Sequence, residues 1–247
     1  ANDGRQHLHG GPHGLHAHVW RVEDFVPADP SRLVLATVSP AGESGYPGTL
    51  SLRCTFTLAG LELHLELEAT TDAVTPVALT WHPYFTLAGA TGLMADHVLA
   101  IAADQVLELD EQLIPTGRQL AVAGTPFDFR TPTRPAIRQG DSHPQLSLAR
   151  GFDHTYVLRR ERAWDARLSH PATGLALEIS SDQPGLQFYG GQWLEPVAGA
   201  AWAAGDGLCL EPQGFPDAVN RPEFPSPWLA AGQTYRRCFR YAFKTSH

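Results

Sequence analysis

The sequence contains little cysteine. Its 247 residues include three cysteines, Cys54, Cys209 and Cys238, which lie far apart and form no C-x-x-C pair. Zinc and redox sites built on cysteine rely on such close spacing, so this chain carries no cysteine signature of either kind. An odd number of scattered cysteines is typical of buried thiols in a reducing compartment. We therefore expect a cytoplasmic protein.

Long apolar runs and an excess of positive charge are also missing. No apolar stretch approaches the roughly 20 residues that a membrane-spanning helix needs. The formal net charge of −8 opposes binding to a polyanion. The first 15 residues lack the basic start and apolar stretch of a signal peptide. We expect no membrane and no nucleic acid among the partners, and a monomer or a homodimer.

Proline and glycine are abundant, with 20 and 23 residues, and both disfavour long helices. Residues 61–69 alternate apolar and polar side chains at period two, which predicts a strand with one buried face. Similar short runs predict further strands at 33–38, 50–58, 75–80, 98–101, 155–158, 175–180, 186–189 and 236–243. We expect loops at 39–48, 130–150 and 214–227. The pattern predicts an all-β protein, a sandwich or a barrel, with very little helix and a single domain over residues 1–247.

Histidine is frequent, and several histidines cluster in a glycine-rich segment near the start. These are His7, His9, His13, His16 and His18. A metal site is the first hypothesis for such a cluster, but zinc sites depend on fixed spacings such as H-E-x-x-H with a third ligand elsewhere. No such spacing is present. We therefore interpret the segment as a solvated turn and expect no metal.

Two ionisable residues stand in apolar surroundings that alter acid and base strength. Glu211 follows the apolar run Leu-Cys-Leu, so we expect a partly desolvated carboxylate, whose pKa rises and makes it a better base near neutral pH. His82 lies among Trp81, Pro83 and Tyr84, a setting that favours a readily switching imidazole. The ordinary alternatives are a surface residue at a strand end for Glu211 and a core or rim histidine for His82.

Three further polar residues have both an ordinary and a functional interpretation. His9 follows Leu8 in a glycine-rich loop and would usually be solvated. Asp153 could simply cap a turn. Gln187, with the aromatic residues after it, could be ordinary strand packing, although aromatic faces also stack on the apolar faces of sugars.

Seven segments, taken in order, resemble the aldose 1-epimerase (galactose mutarotase) family along nearly the whole chain. They are LHGGPHG, SPAGESGYPGTL, EATTDAVTPVALTWHPYFTLAG, LDEQLIPTGRQLAVAGTPFDFR, GFDHTYVL, QPGLQFYGGQWL and LCLEPQGFPDAVNRPEFPSPWLAAGQTY. The resemblance implies a large antiparallel β-sandwich of the galactose mutarotase type, with a small-molecule sugar in an open cleft. It implies no metal and no organic cofactor.

The resemblance also implies a role for each candidate residue. Glu211 matches the family's base, which takes the proton of the anomeric hydroxyl, and His82 matches the acid that protonates the ring oxygen. His9, Asp153 and Gln187 match positions that hydrogen-bond sugar hydroxyls. Tyr84 lies in the His-x-Tyr segment that lines the cleft. The implied activity is the interconversion of α and β anomers of free aldoses such as glucose or galactose.

The chain departs from the family pattern in three respects. Family members carry an Asn-Arg pair before the LHGG segment. This chain starts too late to contain that pair, so we expect that an N-terminal segment is lacking. The usual Glu-Thr-Gln and His-Ser-Tyr are Glu211-Pro212-Gln213 and His82-Pro83-Tyr84. Two alternatives stay open: an epimerase of hexose 6-phosphates and a non-catalytic carbohydrate-binding protein. The phosphate of the former would need arginines, for which the loop candidates are Arg118, Arg130, Arg134, Arg138 and Arg150.

Overall fold

The computed structural model describes residues 1–89, 94–140, 142–195 and 202–245. Sixteen strands are formed there, in chain order β1 (Arg21–Val26), β2 (Ser31–Ser39), β3 (Leu50–Ala59), β4 (Glu62–Thr71), β5 (Thr75–Pro76), β6 (Tyr84–Phe85), β7 (Val98–Ile101), β8 (Ala103–Leu109), β9 (Pro115–Ala121), β10 (Asp153–Leu158), β11 (Ala166–His170), β12 (Leu175–Ser181), β13 (Gly185–Tyr189), β14 (Leu208–Gln213), β15 (Trp228–Leu229) and β16 (Thr234–Thr245).

Helix is scarce in the same part of the chain. The two α-helices are α1 (Pro135–Gln139) and α2 (Pro144–Ala149), and short 3-10 turns occur at Leu15–Ala17, Glu43–Gly45, Met94–Asp96 and Ala218–Asn220. Each α-helix begins with proline, whose fixed φ suits the first helical position. Within the described ranges, no helix combines the length and the apolar character needed to span a bilayer.

The chain forms two compact units, and β16 contributes residues to both. The first unit comprises Ala1–Leu79 and Ser226–Phe239, and the second comprises Thr80–Pro225 and Arg240–His247. The interpretation of residues 1–247 as one domain stays a prediction.

The first unit contains the strands β1-β2-β3-β4 in that order, followed by the start of β16. Each of the three hairpin pairs from β1 to β4 is antiparallel. The period-two pattern at 61–69 gives β4, in which Leu65, Leu67 and Ala69 are buried. Ala69 packs in a hydrophobic cluster with Leu52 and Tyr235, and this cluster forms the core of the unit.

The second unit contains a six-stranded sheet of order β6-β14-β13-β10-β8-β9, whose neighbours pair antiparallel. It also contains β12, β11 and β7, which follow the end of β16. Tyr241 of β16 packs against Phe85 of β6, with ring centroids 6.0 Å apart, so the two layers meet through aromatic side chains. Phe152 and Phe188 stack in this core, with ring centroids 4.9 Å apart.

The expectation of an antiparallel β-sandwich with very little helix is confirmed. The predicted strand at 75–80 is wrong beyond residue 76, because residues 77–80 belong to no strand and only Val77 continues the pairing, with a hydrogen bond to the carbonyl oxygen of Pro227. The predicted loop at 130–150 contains α1 and α2. The expectation of three buried thiols is wrong for Cys238, which is exposed, whereas Cys54 and Cys209 are buried.

Candidate active site

Three neighbouring strands, β10, β13 and β14, bring polar side chains into two rows across one face of the sheet. In the first row Thr155 pairs with Gln187, which pairs with Glu211. In the second row Asp153 pairs with Tyr189, Tyr189 with Cys209, and Cys209 with Tyr84 of β6. Successive residues of a strand point to opposite faces, so positions two apart share a face. Phe188 and Leu210, between the rows, are fully buried on the other face.

Glu211 is a buried carboxyl in the middle of β14. Its residue surface is 5% exposed, so the interpretation as a surface residue at a strand end is wrong. Burial raises the pKa of Glu211 to about 8, and the nearby negative charge of Asp153 contributes a smaller rise. A carboxyl with this pKa gains and loses a proton near neutral pH, as a general base in this range must.

His82 faces this carboxyl from the segment before β6. One ring nitrogen, Nε2, lies 3.7 Å from Oε1 of Glu211. The side chain is 31% exposed, and desolvation lowers the pKa of His82 below its ordinary value of 6.5. The ring lies beside that of Tyr84, with centroids 5.3 Å apart.

The segment that carries His82 is held against β14 at both ends. The Thr80 hydroxyl donates to the carbonyl oxygen of Pro212 at 2.8 Å. On the other side of His82, Tyr84 and Phe85 pair with Cys209 and Leu208. Because both anchors are on β14, the imidazole is held close to Glu211 on the same strand.

Asp153 and Gln187 are joined by a hydrogen bond. The Gln187 side-chain nitrogen donates to Oδ1 of Asp153 at 2.7 Å, and the Thr155 hydroxyl donates to the Gln187 side-chain oxygen at 2.5 Å. Burial raises the pKa of Asp153, and the hydrogen bond from Gln187 opposes that rise. Sequence reasoning missed Thr155; the signal was its position two residues after Asp153 in the same strand.

Tyr84 presents an exposed aromatic ring beside His82, at 45% exposure. Desolvation raises the pKa of Tyr84 to about 12, so the phenol stays protonated. The ring also meets Tyr189 edge to face, with centroids 6.3 Å apart. An exposed ring of this kind suits stacking on the apolar face of a sugar.

His9 belongs to the first unit, whereas the other five candidate residues belong to the second. It is exposed, its φ is +52°, and its ring lies 6.5 Å from that of His16. His7, His13 and His16 are exposed as well. The sugar contact of His9 stays a prediction.

One convergence of possible metal ligands occurs in the part of the chain that the structure describes. It consists of His82, Cys209 and Glu211, which each offer one donor atom within 4.8 Å of the others. The histidines near the start form no such group among the described residues.

Two solved structures with the same fold are described as a galactose 1-epimerase and an aldose epimerase homologue. A galactose 1-epimerase from Lactobacillus acidophilus NCFM superposes with a TM-score of 0.90 and 29% identity, covering 100% of this chain and 72% of that one. An aldose epimerase homologue from C. elegans has a TM-score of 0.89 and 29% identity, covering 100% of this chain and 74% of the other. The β-sandwich is therefore of the galactose mutarotase type.

Sequence comparisons agree with this class. The family model described as aldose 1-epimerase matches residues 1–242. Galactose mutarotase from Homo sapiens is 40% identical over an alignment of 246 positions, which covers 97% of this chain and 69% of that protein. Aldose 1-epimerase from Escherichia coli K12 is 32% identical over an alignment of 251 positions, which covers 98% of this chain and 71% of that protein. The chain belongs to the aldose 1-epimerase family.

Proposed function

We propose that this protein is a mutarotase, an isomerase that interconverts the α and β anomers of free aldoses such as glucose or galactose. Glu211 is the general base and His82 the general acid. The observation that carries the proposal is the 3.7 Å approach of the His82 imidazole to the buried Glu211 carboxyl. Ring opening needs one group to accept a proton while another delivers one, and this pair offers both.

Through the whole reaction Glu211 and His82 together hold one proton, so every proton that one takes up is matched by one that the other releases. Glu211 takes the proton of the anomeric hydroxyl, the carbonyl forms, the bond from C1 to the ring oxygen breaks, and His82 gives its proton to that oxygen. After the bond between C1 and C2 rotates, the ring oxygen attacks the other face of the carbonyl and returns its proton to His82. Glu211 returns its proton to the new anomeric hydroxyl.

Burial of the two groups favours this exchange. The raised pKa of Glu211 and the lowered pKa of His82 stabilise the arrangement that follows ring opening, in which the carboxyl is protonated and the imidazole is neutral. Their mutual attraction at 3.7 Å stabilises the charged arrangement that precedes it. With both arrangements accessible, the ring opens and closes without a proton from solvent, and the reaction as proposed uses no metal or organic cofactor.

Hydrogen-bonding groups around the pair hold the sugar. Asp153 accepts from sugar hydroxyls, Gln187 donates with its remaining N–H, and Tyr84 stacks on the ring. His9 matches a family position that hydrogen-bonds a sugar hydroxyl. The bond between Gln187 and Asp153 supports these roles, because it leaves each group with a fixed orientation before the sugar arrives.

A free sugar fits the charges of the site better than a sugar phosphate. The two rows contain the carboxyls Asp153 and Glu211 and no cationic side chain, so they repel a phosphate. Arg118 and Arg130 are already paired with Glu108 and Asp128. A hexose 6-phosphate epimerase is therefore the weaker candidate. Competition by inorganic phosphate against sugar turnover tests it directly, and strong competition would favour it.

Polarimetry tests the proposal. Freshly dissolved α-D-glucose and α-D-galactose should reach anomeric equilibrium faster with the protein than with buffer. Glu211→Gln and His82→Ala should each lose roughly 10²–10⁴-fold of that acceleration. Glu161→Gln and His64→Ala, which change exposed residues of the same types, should retain it. A non-catalytic carbohydrate-binding protein would give no acceleration in any of the five proteins.

Location and assembly belong to the same proposal. We expect a cytoplasmic monomer or homodimer without nucleic acid or membrane partners. None of the three cysteines, all of which lie in the described residues, forms a disulfide, which supports a reducing compartment. Light scattering after gel filtration measures the assembly state.

A further inference from the structure

Cys209 is a thiol next to the acid–base pair that the proposed reaction does not use. It precedes Glu211 by two residues in β14, so both side chains point to the same face. Its sulfur, a ring nitrogen of His82 and a carboxylate oxygen of Glu211 all lie within 4.8 Å of one another. The residue is fully buried, and its thiol is free.

Thiolate, imidazole and carboxylate together form a zinc donor set. Zinc is bound at about 2.0–2.3 Å by these three groups, and a tetrahedral site places its donors about 3.3–3.6 Å apart. The distance of 3.7 Å between His82 Nε2 and Glu211 Oε1 is close to that value. The distances from the Cys209 sulfur to the His82 nitrogen and to the Glu211 oxygen, each at most 4.8 Å, must shorten by at most about 1.5 Å to reach the tetrahedral spacing. The His82 side chain is 31% exposed, so of the three donors it is the one that solvent and a metal ion can reach.

The surrounding charge also suits a cation. Burial raises the pKa of Cys209, and the charges of Glu211 and Asp153 raise it further. Metal binding therefore displaces the thiol proton to solvent, and the same two carboxylates attract the cation. A sulfur donor disfavours hard cations such as Mg²⁺ and Ca²⁺, which prefer oxygen. Three protein donors leave a fourth position open to water.

We propose that His82, Cys209 and Glu211 form an inhibitory binding site for zinc and similar thiophilic divalent cations. The metal occupies both members of the acid–base pair at once, so a zinc-bound protein can neither accept the proton of the anomeric hydroxyl nor protonate the ring oxygen. Zinc and sugar therefore exclude each other. The inhibition depends on the proposed function, whereas the binding of the metal does not.

A cobalt titration tests the site without reference to turnover. Co²⁺ replaces zinc and reports a thiolate ligand through a near-ultraviolet charge-transfer band. The wild-type protein should develop this band with one equivalent of bound metal. Cys209→Ser and Cys209→Ala should lose it and bind the metal at least about tenfold more weakly. Cys238→Ser, which removes the exposed thiol beside Glu66, should keep it.

Thermal unfolding of both Cys209 variants separates loss of the ligand from loss of the fold. A folded Cys209→Ser protein that retains the charge-transfer band would overturn the proposal, as would a wild-type protein without the band. Saturating galactose should weaken cobalt binding, because the sugar occupies the same acid–base pair. Unchanged cobalt binding in the presence of galactose would contradict a shared site.

Polarimetry then tests inhibition. Zinc should stop turnover of the wild-type protein, a chelator should restore it, and Cys209→Ser should remain active with an inhibition constant at least about tenfold higher. A cobalt band without turnover in zinc-free buffer would overturn the mutarotase proposal and leave the metal site standing. Turnover without a cobalt band would overturn the metal site and leave the mutarotase proposal standing.

Discussion

The Thr155 hydroxyl donates to the side-chain oxygen of Gln187 at 2.5 Å, and this bond determines which end of the amide faces Asp153. With its oxygen engaged by Thr155, Gln187 turns its nitrogen towards the carboxylate, to which it donates at 2.7 Å. Thr155 is 2% exposed, so we expect it to act on the sugar through Gln187 and not by direct contact. It is therefore a positioning residue.

Replacement of Thr155 by valine should weaken sugar binding more than it slows catalysis. Valine has nearly the same shape but no hydroxyl, so the amide of Gln187 loses its fixed orientation, at a cost of about 1–3 kcal/mol for the unpaired oxygen. We expect KM to rise by about tenfold while kcat changes little. Progress curves by polarimetry at several sugar concentrations measure both.

Thr155→Ser is the matched control for this prediction. Serine restores the hydroxyl without the methyl group, so KM should return towards the wild-type value. Equal KM values for the valine and wild-type proteins would show that the bond has no role in sugar binding.

The pH dependence of kcat/KM should be bell-shaped. The acid–base pair must carry one proton, so activity rises as the fully protonated pair loses its first proton and falls as it loses its second. The lowered pKa of His82 places the first limb below pH 6.5. The raised pKa of Glu211 places the second near pH 8.

Asp153→Asn tests the cause of the second limb. Loss of the Asp153 charge should lower the pKa of Glu211 and move this limb to lower pH. Burial is the larger cause, so the pKa should stay above the ordinary value of 4.5. A second limb that does not move in Asp153→Asn would exclude Asp153 as a contributor.

Glu211→Gln should stabilise the folded protein at alkaline pH. The pKa of Glu211 is raised from 4.5 to about 8 on folding, so the stability that its protonated form contributes is fully present below pH 4.5 and is lost as pH rises through 8. Each unit of that shift corresponds to about 1.4 kcal/mol. Glutamine stays neutral at every pH, so the Glu211→Gln protein keeps this stability as pH rises from 4.5 to 8.

Thermal unfolding across this pH range gives the measurement. The difference in Tm between Glu211→Gln and wild type should be smallest at the acid end and should grow towards about pH 9. Glu161→Gln, at an exposed position, should show no such trend. A difference that is constant with pH would mean that Glu211 titrates alike in the folded and unfolded protein.

Gly191→Ala should destabilise the second unit near the site. Gly191 has φ of +73°, and an added Cβ would overlap the carbonyl oxygen of Gly207, immediately before β14. Gly205 has a similar φ of +82° but open space around it. Both alanine variants meet the positive-φ cost of about 1–2 kcal/mol.

Only Gly191→Ala adds the steric overlap, so its loss of unfolding free energy in urea should exceed that of Gly205→Ala. Its kcat/KM should also fall, because the displaced Gly207 leads directly into the strand of Glu211. Equal losses in the two variants would mean that the backbone relaxes around the added methyl group.

The sequence by itself determined the fold class and most of the strands. Period-two alternation identified β4 because one face of that strand is buried, and abundant proline and glycine correctly predicted little helix. The run before Glu211 correctly indicated a desolvated carboxyl. Strands β8 and β9 were missed because buried and exposed residues do not alternate along either strand.

Only the tertiary structure decided how the candidate residues meet. The pKa of Glu211 depends on burial and on Asp153, which comes from another strand, and the fixed orientation of Gln187 depends on Thr155. Cys209 lies beside His82 because β6 pairs with β14, although more than a hundred residues separate the two in the chain. Local sequence sets which face of a strand a side chain occupies. The pairing of distant strands sets which side chains share that face, and this is decided only when the whole core assembles.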